Sequence, residues 1–523
     1  MVRIIPPRGG LVPLSGAATA AVMRPGRMVT LPSNRESASY QGGRLLVIGD
    51  SIAALHAQQR TATSVTLDGT TTATVAMTTH VMTVGEELYG MSVTPEGANC
   101  RMTVASSIDA NSFTVTLSSA QSGTVTGRSV GPMFLRQSIL TDKGTFNWFS
   151  ALADACFDIV GVHAEPGSTT AYLDDLIAQS AGLSYDWVAI ISGINDVLAD
   201  TAAATIAANI IAVADGQIAA GKKVIISKVG PFASSHGSYT AGRYTALQDV
   251  NAALVAYAQA HRGSVFILDT ITAAGGVGNS PAANLTSDGI HPTAKGAYTY
   301  AKQLKADYSI VPTAAMAALL VTSASQDENV DALQRQLWNN PLLSGTGGDA
   351  QGDNATFAAR TGVPDGHVLY LTGVAPNDGL VSMIDAADGY GKAQRMDWSA
   401  AASGNRVQFY PSQAKADAVD GEYARLVTKV TVGAIAGGAT TALTQLYLHT
   451  TLNGSRIANA MLYGTGTSSA TFPQLNDTLT LVTPRRLIPS VASYTTIRPQ
   501  FLTQVSGADS IRLDISRVAY WAM

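Results

Sequence analysis

Four short segments, far apart in the chain, carry residues of the types that nucleophilic catalysis uses. The first is Gly49-Asp50-Ser51, which follows the apolar run 45–48. Four consecutive apolar residues before Gly-Asp predict a strand buried on both faces, with Ser51 at its carboxyl end. Ligands of open α/β sheets collect at this end of the strands, so the hydroxyl is well placed for chemistry. Taken alone, however, the motif is more typical of an ordinary turn or helix cap.

A carboxylate and a histidine form the second group. Asp288 precedes His291 by three residues in the motif SDGIHP, just before a predicted helix. A turn of this length can bring the carboxylate against the imidazole, where it would fix the tautomer and stabilise the imidazolium. His291 would then accept the proton of Ser51. The alternative is that both residues only cap the helix that follows.

Two candidate hydrogen-bond donors lie between these segments. Asn195, in the motif GIND, follows the predicted strand 187–192, so its side-chain amide can project into the space above Ser51 and hold an oxyanion. Gly167, in the loop EPGSTT, has no Cβ to block a substrate, and its backbone N–H lies where a loop enters a helix and donors are unpaired. Asn195 could equally belong to an ordinary turn. Together, the four segments lie at predicted strand exits and favour a catalytic site.

The elements that must position these residues alternate in type. Strands are predicted at 45–48, 157–162, 187–192, 224–227 and 265–269, and helices at 147–156, 170–180, 201–220, 243–261 and 293–306. Strands that alternate with helices of this length predict a parallel sheet covered on both faces. The sequence therefore predicts a compact three-layer α/β domain formed by residues 44–60 and 132–310.

The rest of the chain has other patterns. Residues 61–131 contain short alternating runs rich in Thr and Val, which predict a small antiparallel β-module inserted directly after the serine; it could shape substrate access or be mere decoration. Residues 339–523 predict a C-terminal β-sandwich. Residues 311–338 are predicted as a linker with a short helix over 327–338. Residues 1–43, rich in Pro and Gly, predict an extended N-terminal arm or a disordered tail.

Composition excludes several classes of function. Charged residues make up 13% of the chain, against roughly 25% in ordinary soluble proteins. The net charge is -4, without a cluster of Lys or Arg, so nucleic acid and anionic membranes are not expected as partners. The sequence contains no run of eighteen apolar residues, so no membrane-spanning helix is predicted. Cys100 and Cys156 are predicted to be free, buried thiols.

A resemblance to the SGNH (GDSL-type) hydrolase family rests on four blocks in one order, GDS at 49–51, Gly167, GIND at 193–196 and DGIH at 288–291. It covers the segment from 44 to 306 without the insert. It implies a flavodoxin-like sheet and an ester-cleaving triad of Ser51, His291 and Asp288. It also implies an oxyanion hole formed by the backbone N–H groups of Ser51 and Gly167 with the side chain of Asn195. The resemblance implies no metal and no organic cofactor.

The architecture as a whole looks like the tail-spike or tail-fibre esterases of bacteriophages, which remove acetyl groups from capsule or O-antigen polysaccharide. The likeness rests on the proline-rich arm, the inserted module, the C-terminal sandwich and the low charge. It implies a virion-tail or extracellular location, an acetylated bacterial polysaccharide as substrate and other phage tail proteins as partners. The assembly could be a homotrimer, and the sandwich could bind carbohydrate through its aromatic residues. Membrane insertion is not expected.

Two other functions remain compatible with the sequence. A non-catalytic glycan-binding tail or adhesin protein could carry a decayed esterase domain, although drift would be expected to remove at least one of the four blocks. A secreted bacterial carbohydrate esterase with an attached binding module would share the chemistry and differ in origin. Release of acetate from host glycan would separate an active esterase from the adhesin.

Overall fold

A computed structural model describes most of the chain between residues 39 and 522. The described residues are 39–80, 82–91, 93–94, 99–117, 119–127, 132–275, 281–320, 335–336, 340–352, 362–372, 379–398, 404–411, 423–440, 443–452, 456–464, 468–487, 497–505 and 510–522. Residues 1–38, most of the predicted N-terminal arm, lie outside these ranges.

Strands predominate over helices in the described residues. The strands are β1 (Ser39–Gln41), β2 (Gly43–Gly49), β3 (Ala57–Thr61), β4 (Ser64–Asp68), β5 (Thr72–Ala76), β6 (Glu87–Met91), β7 (Val93–Thr94), β8 (Arg101–Asp109), β9 (Ser112–Leu117), β10 (Ser122–Gly127), β11 (Met133–Thr141), β12 (Phe157–Ala164), β13 (Trp187–Ile191), β14 (Lys223–Ser227), β15 (Val265–Leu268), β16 (Ser309–Val311), β17 (Arg335–Gln336), β18 (Gly347–Gly352), β19 (Val363–Thr372), β20 (Gly379–Asp385), β21 (Lys392–Trp398), β22 (Arg406–Pro411), β23 (Tyr423–Ala434), β24 (Leu443–Leu452), β25 (Arg456–Tyr463), β26 (Asp477–Val482), β27 (Arg486–Leu487), β28 (Ile497–Val505) and β29 (Ile511–Ala522). The helices are α1 (Ser51–Ala54), α2 (Thr145–Leu152), α3 (Leu173–Ala178), α4 (Ile194–Leu198), α5 (Ala203–Ala219), α6 (Ala241–Ala260), α7 (Thr270–Ala273), α8 (Ala294–Asp307) and α9 (Ala314–Ala317).

A five-stranded parallel sheet forms the centre of the α/β region. Its order is β12-β2-β13-β14-β15, and every neighbouring pair is parallel. This is the flavodoxin-like order, in which the first strand lies between the second and the third. The helices α3, α5 and α6 pack together, as do α2 and α8, and the strands between them are buried. The predicted three-layer α/β fold is confirmed.

A mixed sheet of 15 strands joins the inserted segment to the C-terminal segment in the described residues. The strand β11 makes the junction, because its first residues pair with β3 and β6 whereas Ile139 and Thr141 run parallel to β25. The sequence assigns residues 57–60 and 132–141 to the α/β domain, but β3 and β11 belong to this mixed sheet. The apolar pattern of a strand does not reveal its partner, since pairing depends on residues far away in the chain.

A second sheet, with the path β20-β21-β29-β23-β26, faces the C-terminal part of the mixed sheet. Side chains of β23 and β24, one from each sheet, share one hydrophobic core, as a sandwich requires. The short strand β17 also pairs with β29, at residues for which the sequence predicts a helix. The rest of that predicted helix, over 327–338, lies outside the described residues.

The C-terminal unit is attached directly to the α/β region. The helix α2 packs on β26, and the rings of Trp148 and Phe472 meet edge to face with centroids 6.0 Å apart. Arg425 Nη2 also lies 2.9 Å from Asp158 Oδ1 on β12. Near the amino terminus of the described chain, β1 pairs with β16.

The inserted segment has its own hydrophobic core, which includes Cys100. Both Cys100 and Cys156 are free and buried, as the sequence predicts. Within the described ranges, no helix combines the length and the apolar character needed to cross a bilayer.

Candidate active site

The ends of three parallel strands are joined at one edge of the sheet. Asp50 N–H donates to the Ile191 carbonyl at 3.1 Å, and Glu165 N–H donates to the Gly49 carbonyl at 3.0 Å. Gly49 has φ +149°, and a Cβ at this position would lie 1.8 Å from the Ile191 oxygen, so only glycine fits. The loops that follow β2, β12 and β13 therefore start side by side.

Ser51 begins the short helix α1 at this edge. Asp50 is its N-cap, and its Oδ1 accepts a hydrogen bond from Ile52 N–H at 2.9 Å. This contact stabilises the turn from β2 into α1. As the first residue of a helix, Ser51 has a backbone N–H without an intrahelical acceptor.

Ser51, His291 and Asp288 form a continuous chain of hydrogen bonds. Ser51 Oγ lies 2.7 Å from His291 Nε2, and His291 Nδ1 lies 2.7 Å from Asp288 Oδ2. The other carboxylate oxygen, Oδ1, accepts from the backbone N–H groups of Ile290 at 3.0 Å and His291 at 2.9 Å, which holds the turn in place. A nucleophile, a base and a carboxylate that orients the base are arranged in this way in serine hydrolases.

Two carboxyl groups near this chain have opposite electrostatic surroundings. Burial acts to raise the pKa of Asp288, but the hydrogen bonds from His291 and Ile290 outweigh it, so the pKa lies below its usual value and the carboxylate stays ionised. Burial raises the pKa of Asp50 to about 7, although Ile52 N–H and the nearby His291 oppose this change. Asp288 is therefore the permanent anion beside the imidazole.

The two predicted oxyanion donors lie next to each other. Asn195 Nδ2 donates to the carbonyl of Ser168, the residue after Gly167, at 2.9 Å. The same amide nitrogen has a second N–H. Gly167 is exposed with φ +80°, and no atom lies within 4 Å of the place that a Cβ would occupy. Within the described residues, the backbone N–H groups of Ser51 and Gly167 donate no hydrogen bond.

The contacts that support these donors are not visible in the sequence. Asp196 accepts hydrogen bonds from Thr170 N–H at 2.8 Å and from its hydroxyl at 3.0 Å, which ties the loop of Gly167 to the start of α4. Asp196 lies in the GIND motif, but nothing in its spacing identifies Thr170 or Ser168 as partners. Among the described residues, no group of three or more His, Cys, Asp or Glu side chains is arranged to hold a metal ion.

The α/β region matches a known family. Residues 127–298 match the model of the GDSL-like Lipase/Acylhydrolase family, about a third of the chain. This segment therefore matches the family that the resemblance in the sequence predicts. The matched segment contains Gly167, Asn195, Asp288 and His291. It begins after Ser51, because the inserted module separates the first block from the others.

Several solved structures are similar to parts of this chain. A catalytic mutant of an acetylxylan esterase from Geobacillus stearothermophilus is 17% identical, with 52% of this chain and 95% of that chain covered and a TM-score of 0.28. A GDSL-like lipase from Bacteroides thetaiotaomicron is 20% identical, with coverages of 31% and 83% and a TM-score of 0.25. The enzymatically active domain of tailspike protein 4 of bacteriophage CBA120 is 14% identical, with coverages of 30% and 20% and a TM-score of 0.21. No curated protein sequence matches the chain.

Proposed function

We propose that the chain is a serine esterase in which Ser51 is the nucleophile, His291 the general base and Asp288 the residue that orients the base. The observation that carries this proposal is the unbroken chain of two 2.7 Å contacts, from Ser51 Oγ through both imidazole nitrogens to Asp288. The family match supports acyl-ester hydrolysis as the class of reaction.

The reaction would proceed through two acyl transfers. His291 Nε2 takes the proton of Ser51 as Oγ attacks the ester carbonyl carbon, and the imidazolium then gives that proton to the departing alcohol oxygen. The acyl group is now bonded to Ser51. Water, deprotonated by His291, attacks this ester, and the proton returns to Ser51 as the carboxylic acid leaves.

Negative charge on the carbonyl oxygen needs donors that are already in place. We assign this role to the backbone N–H groups of Ser51 and Gly167 and to the second N–H of the Asn195 amide. Their fixed positions are favourable because no donor has to be reoriented while the charge develops. The bond from Asn195 to Ser168 supplies the rigidity.

For the substrate we propose O-acetyl groups on a bacterial surface polysaccharide, with the chain acting as part of a phage tail. Two features support this assignment. Only 13% of the residues are charged, and two β-rich units flank the proposed esterase site. The same architecture would suit a secreted carbohydrate esterase, which has the same chemistry.

The direct test is acetate release from a panel of acetylated polysaccharides. We expect the native chain to release acetate, and Ser51→Ala to abolish release while the melting temperature stays unchanged. Ser106→Ala, at an exposed serine of the inserted module, is the matched control and should retain full activity. Full activity of the Ser51 variant would refute the catalytic assignment.

A further inference from the structure

A large cleft lies beside the turn that carries the catalytic histidine. Its volume is about 640 Å³, within the range of ligand-binding sites in proteins. Ser287 and Pro292, the residues on either side of the Asp288–His291 turn, both line it. Leu55, directly after α1, contributes to the same wall. We call this space the Asp142 cleft, after the acidic residue that lines it.

Three parts of the chain form the walls of the Asp142 cleft. The α/β region supplies the residues named above, and β3 supplies Gln59 and Arg60. The C-terminal unit supplies Thr444 and Tyr463, of which the tyrosine ring is partly exposed. A ligand in the cleft would thus touch all three parts at once. A partly exposed tyrosine presents an apolar face and a hydroxyl, both of which suit a sugar ring.

Asp142 is a largely buried carboxyl group to which no other described residue donates a hydrogen bond. Its backbone is held on both sides, because Trp148 Nε1 donates to its carbonyl at 2.6 Å and its N–H donates to the Tyr463 carbonyl at 3.1 Å. The residue is only 5% exposed. Burial raises the pKa of the carboxyl to about 7, while the nearby Lys143 acts in the opposite direction. Buried polar groups are normally paired, so this one points to a ligand.

The charged residues that line the cleft are Arg60, Asp142 and Lys143. Neither Arg60 nor Lys143 forms an ion pair with another described residue. Two cationic side chains and one carboxyl line the cleft, so its net charge is positive. A cleft lined by one sign of charge concentrates ligands of the opposite sign.

We propose that the Asp142 cleft binds an acidic segment of the glycan whose acetyl ester reaches Ser51, an inference that rests on the esterase function proposed above. Arg60 and Lys143 pair with a sugar carboxylate, and Asp142 exchanges hydrogen bonds with sugar hydroxyls. The polymer then lies across the junction of the three parts of the chain, with one sugar beside His291. A small ester would use only the catalytic residues.

Binding can be measured apart from turnover in the full-length Ser51→Ala protein. The probes are O-acetylated polygalacturonate, which is acidic, and O-acetylated xylan, which is neutral. We expect the acidic probe to bind at least tenfold more tightly at low salt, and Arg60→Ala/Lys143→Ala to remove that difference. The matched control is Arg44→Ala/Lys392→Ala, which removes two partly exposed cations outside the cleft and should leave binding unchanged.

The role of Asp142 has its own comparison. Asp142→Ala should lower the affinity for both probes about tenfold. Asp142→Asn, which keeps hydrogen-bonding groups, should bind both probes as the native residue does. Equal affinity for the two probes, or unchanged binding in the Arg60/Lys143 double variant, would overturn the cleft proposal. Acetate release by the native chain is scored separately. Binding as expected without release would refute the esterase alone, and release without selective binding would refute the cleft alone.

Discussion

The parallel sheet and the mixed sheet bring distant residues together in different ways. In the parallel sheet, each site residue lies on a loop that directly follows a strand or precedes a helix, and neighbouring strands end at the same edge. In the mixed sheet, contacts depend on segments that are remote in the chain, such as Arg136 and the Ile457 carbonyl, which are 321 residues apart. The proposed catalytic residues therefore depend on local strand–loop units, whereas the Asp142 cleft depends on long-range assembly.

The central strands of the parallel sheet and the middle of the mixed sheet bury different groups, although a buried ion pair between Lys228 and Asp269 also lies where β14 and β15 end. The strands β2 and β13 bury apolar side chains almost alone. The mixed sheet buries the ion pair between Arg136 and Glu86, whose side chains are 1% and 0% exposed. Arg486 approaches the same glutamate at 3.8 Å. Activity and stability should consequently respond to different substitutions.

The largest effect on activity, after loss of the nucleophile, is expected for Asp288→Asn. The amide would favour the wrong imidazole tautomer, so kcat should fall by about 10⁴-fold, as in other triads. Hydrolysis of p-nitrophenyl acetate and thermal melting would measure activity and folding. Asp249→Asn, at an exposed aspartate on α6, is the control. A loss of less than tenfold would show that the hydrogen bond from His291 is not needed.

On the mixed-sheet side of the comparison, Arg136→Met should lower the free energy of unfolding by about 3–5 kcal/mol, because Glu86 loses its closest buried partner. The Arg136→Met variant that does fold should keep its esterase activity. Arg243→Met removes a pair whose Asp200 is largely exposed, and should lower the free energy of unfolding far less than Arg136→Met does. Urea unfolding gives both values. Equal costs for the two variants would contradict the contrast between the sheets.

A third prediction concerns pH. Asp50 has a pKa of about 7 in the folded chain against an ordinary value of 3.8, so the folded state holds more protons than the unfolded state between these values. The stability contributed by this group therefore falls as pH rises from about 4 to 7. Asp50→Asn cannot ionise and keeps an acceptor for Ile52 N–H. Its stability relative to the native chain should rise over this interval by roughly 4 kcal/mol.

Urea unfolding of both proteins at pH 4.5 and pH 7.5 would measure this change. A difference between the two proteins that does not vary with pH would mean that Asp50 ionises normally. The comparison isolates one carboxyl, since both chains share every other titrating group.

The smaller of the two expected effects on activity belongs to Asn195→Ala. Loss of one oxyanion donor typically lowers kcat by about 10²–10³-fold. The KM for a small ester should change little, because the donor acts on charge that develops in the transition state. Steady-state kinetics with p-nitrophenyl acetate measure both constants. A change confined to KM would assign Asn195 to substrate binding.

The contrast between the sheets also explains what the sequence could predict. Runs of buried apolar residues and the motifs at their ends identified the α/β elements and placed Ser51, Asp288 and His291 where the hydrogen bonds connect them. The residues of β11 carry no signal that identifies its partners, so its place between β6 and β25 could not be foreseen. Asp142 follows the end of β11, so the cleft could not be predicted from the sequence either.

The proposed oxyanion donors are an intermediate case. Asn195 and Gly167 were identified from their motifs, but the contact that holds them together uses the carbonyl of Ser168. A backbone carbonyl has the same chemistry in every residue, so no side-chain pattern can mark it. It is therefore easier to identify the reacting groups from the sequence than the groups that support them.

The central claim is that His291 activates Ser51 as a nucleophile. It is tested most directly by treating the native chain with a fluorophosphonate, which bonds covalently to activated serines, and locating the adduct by peptide mass spectrometry. We expect a single adduct on Ser51 and its loss in His291→Ala. An unmodified Ser51, or equal modification in the histidine variant, would contradict the account.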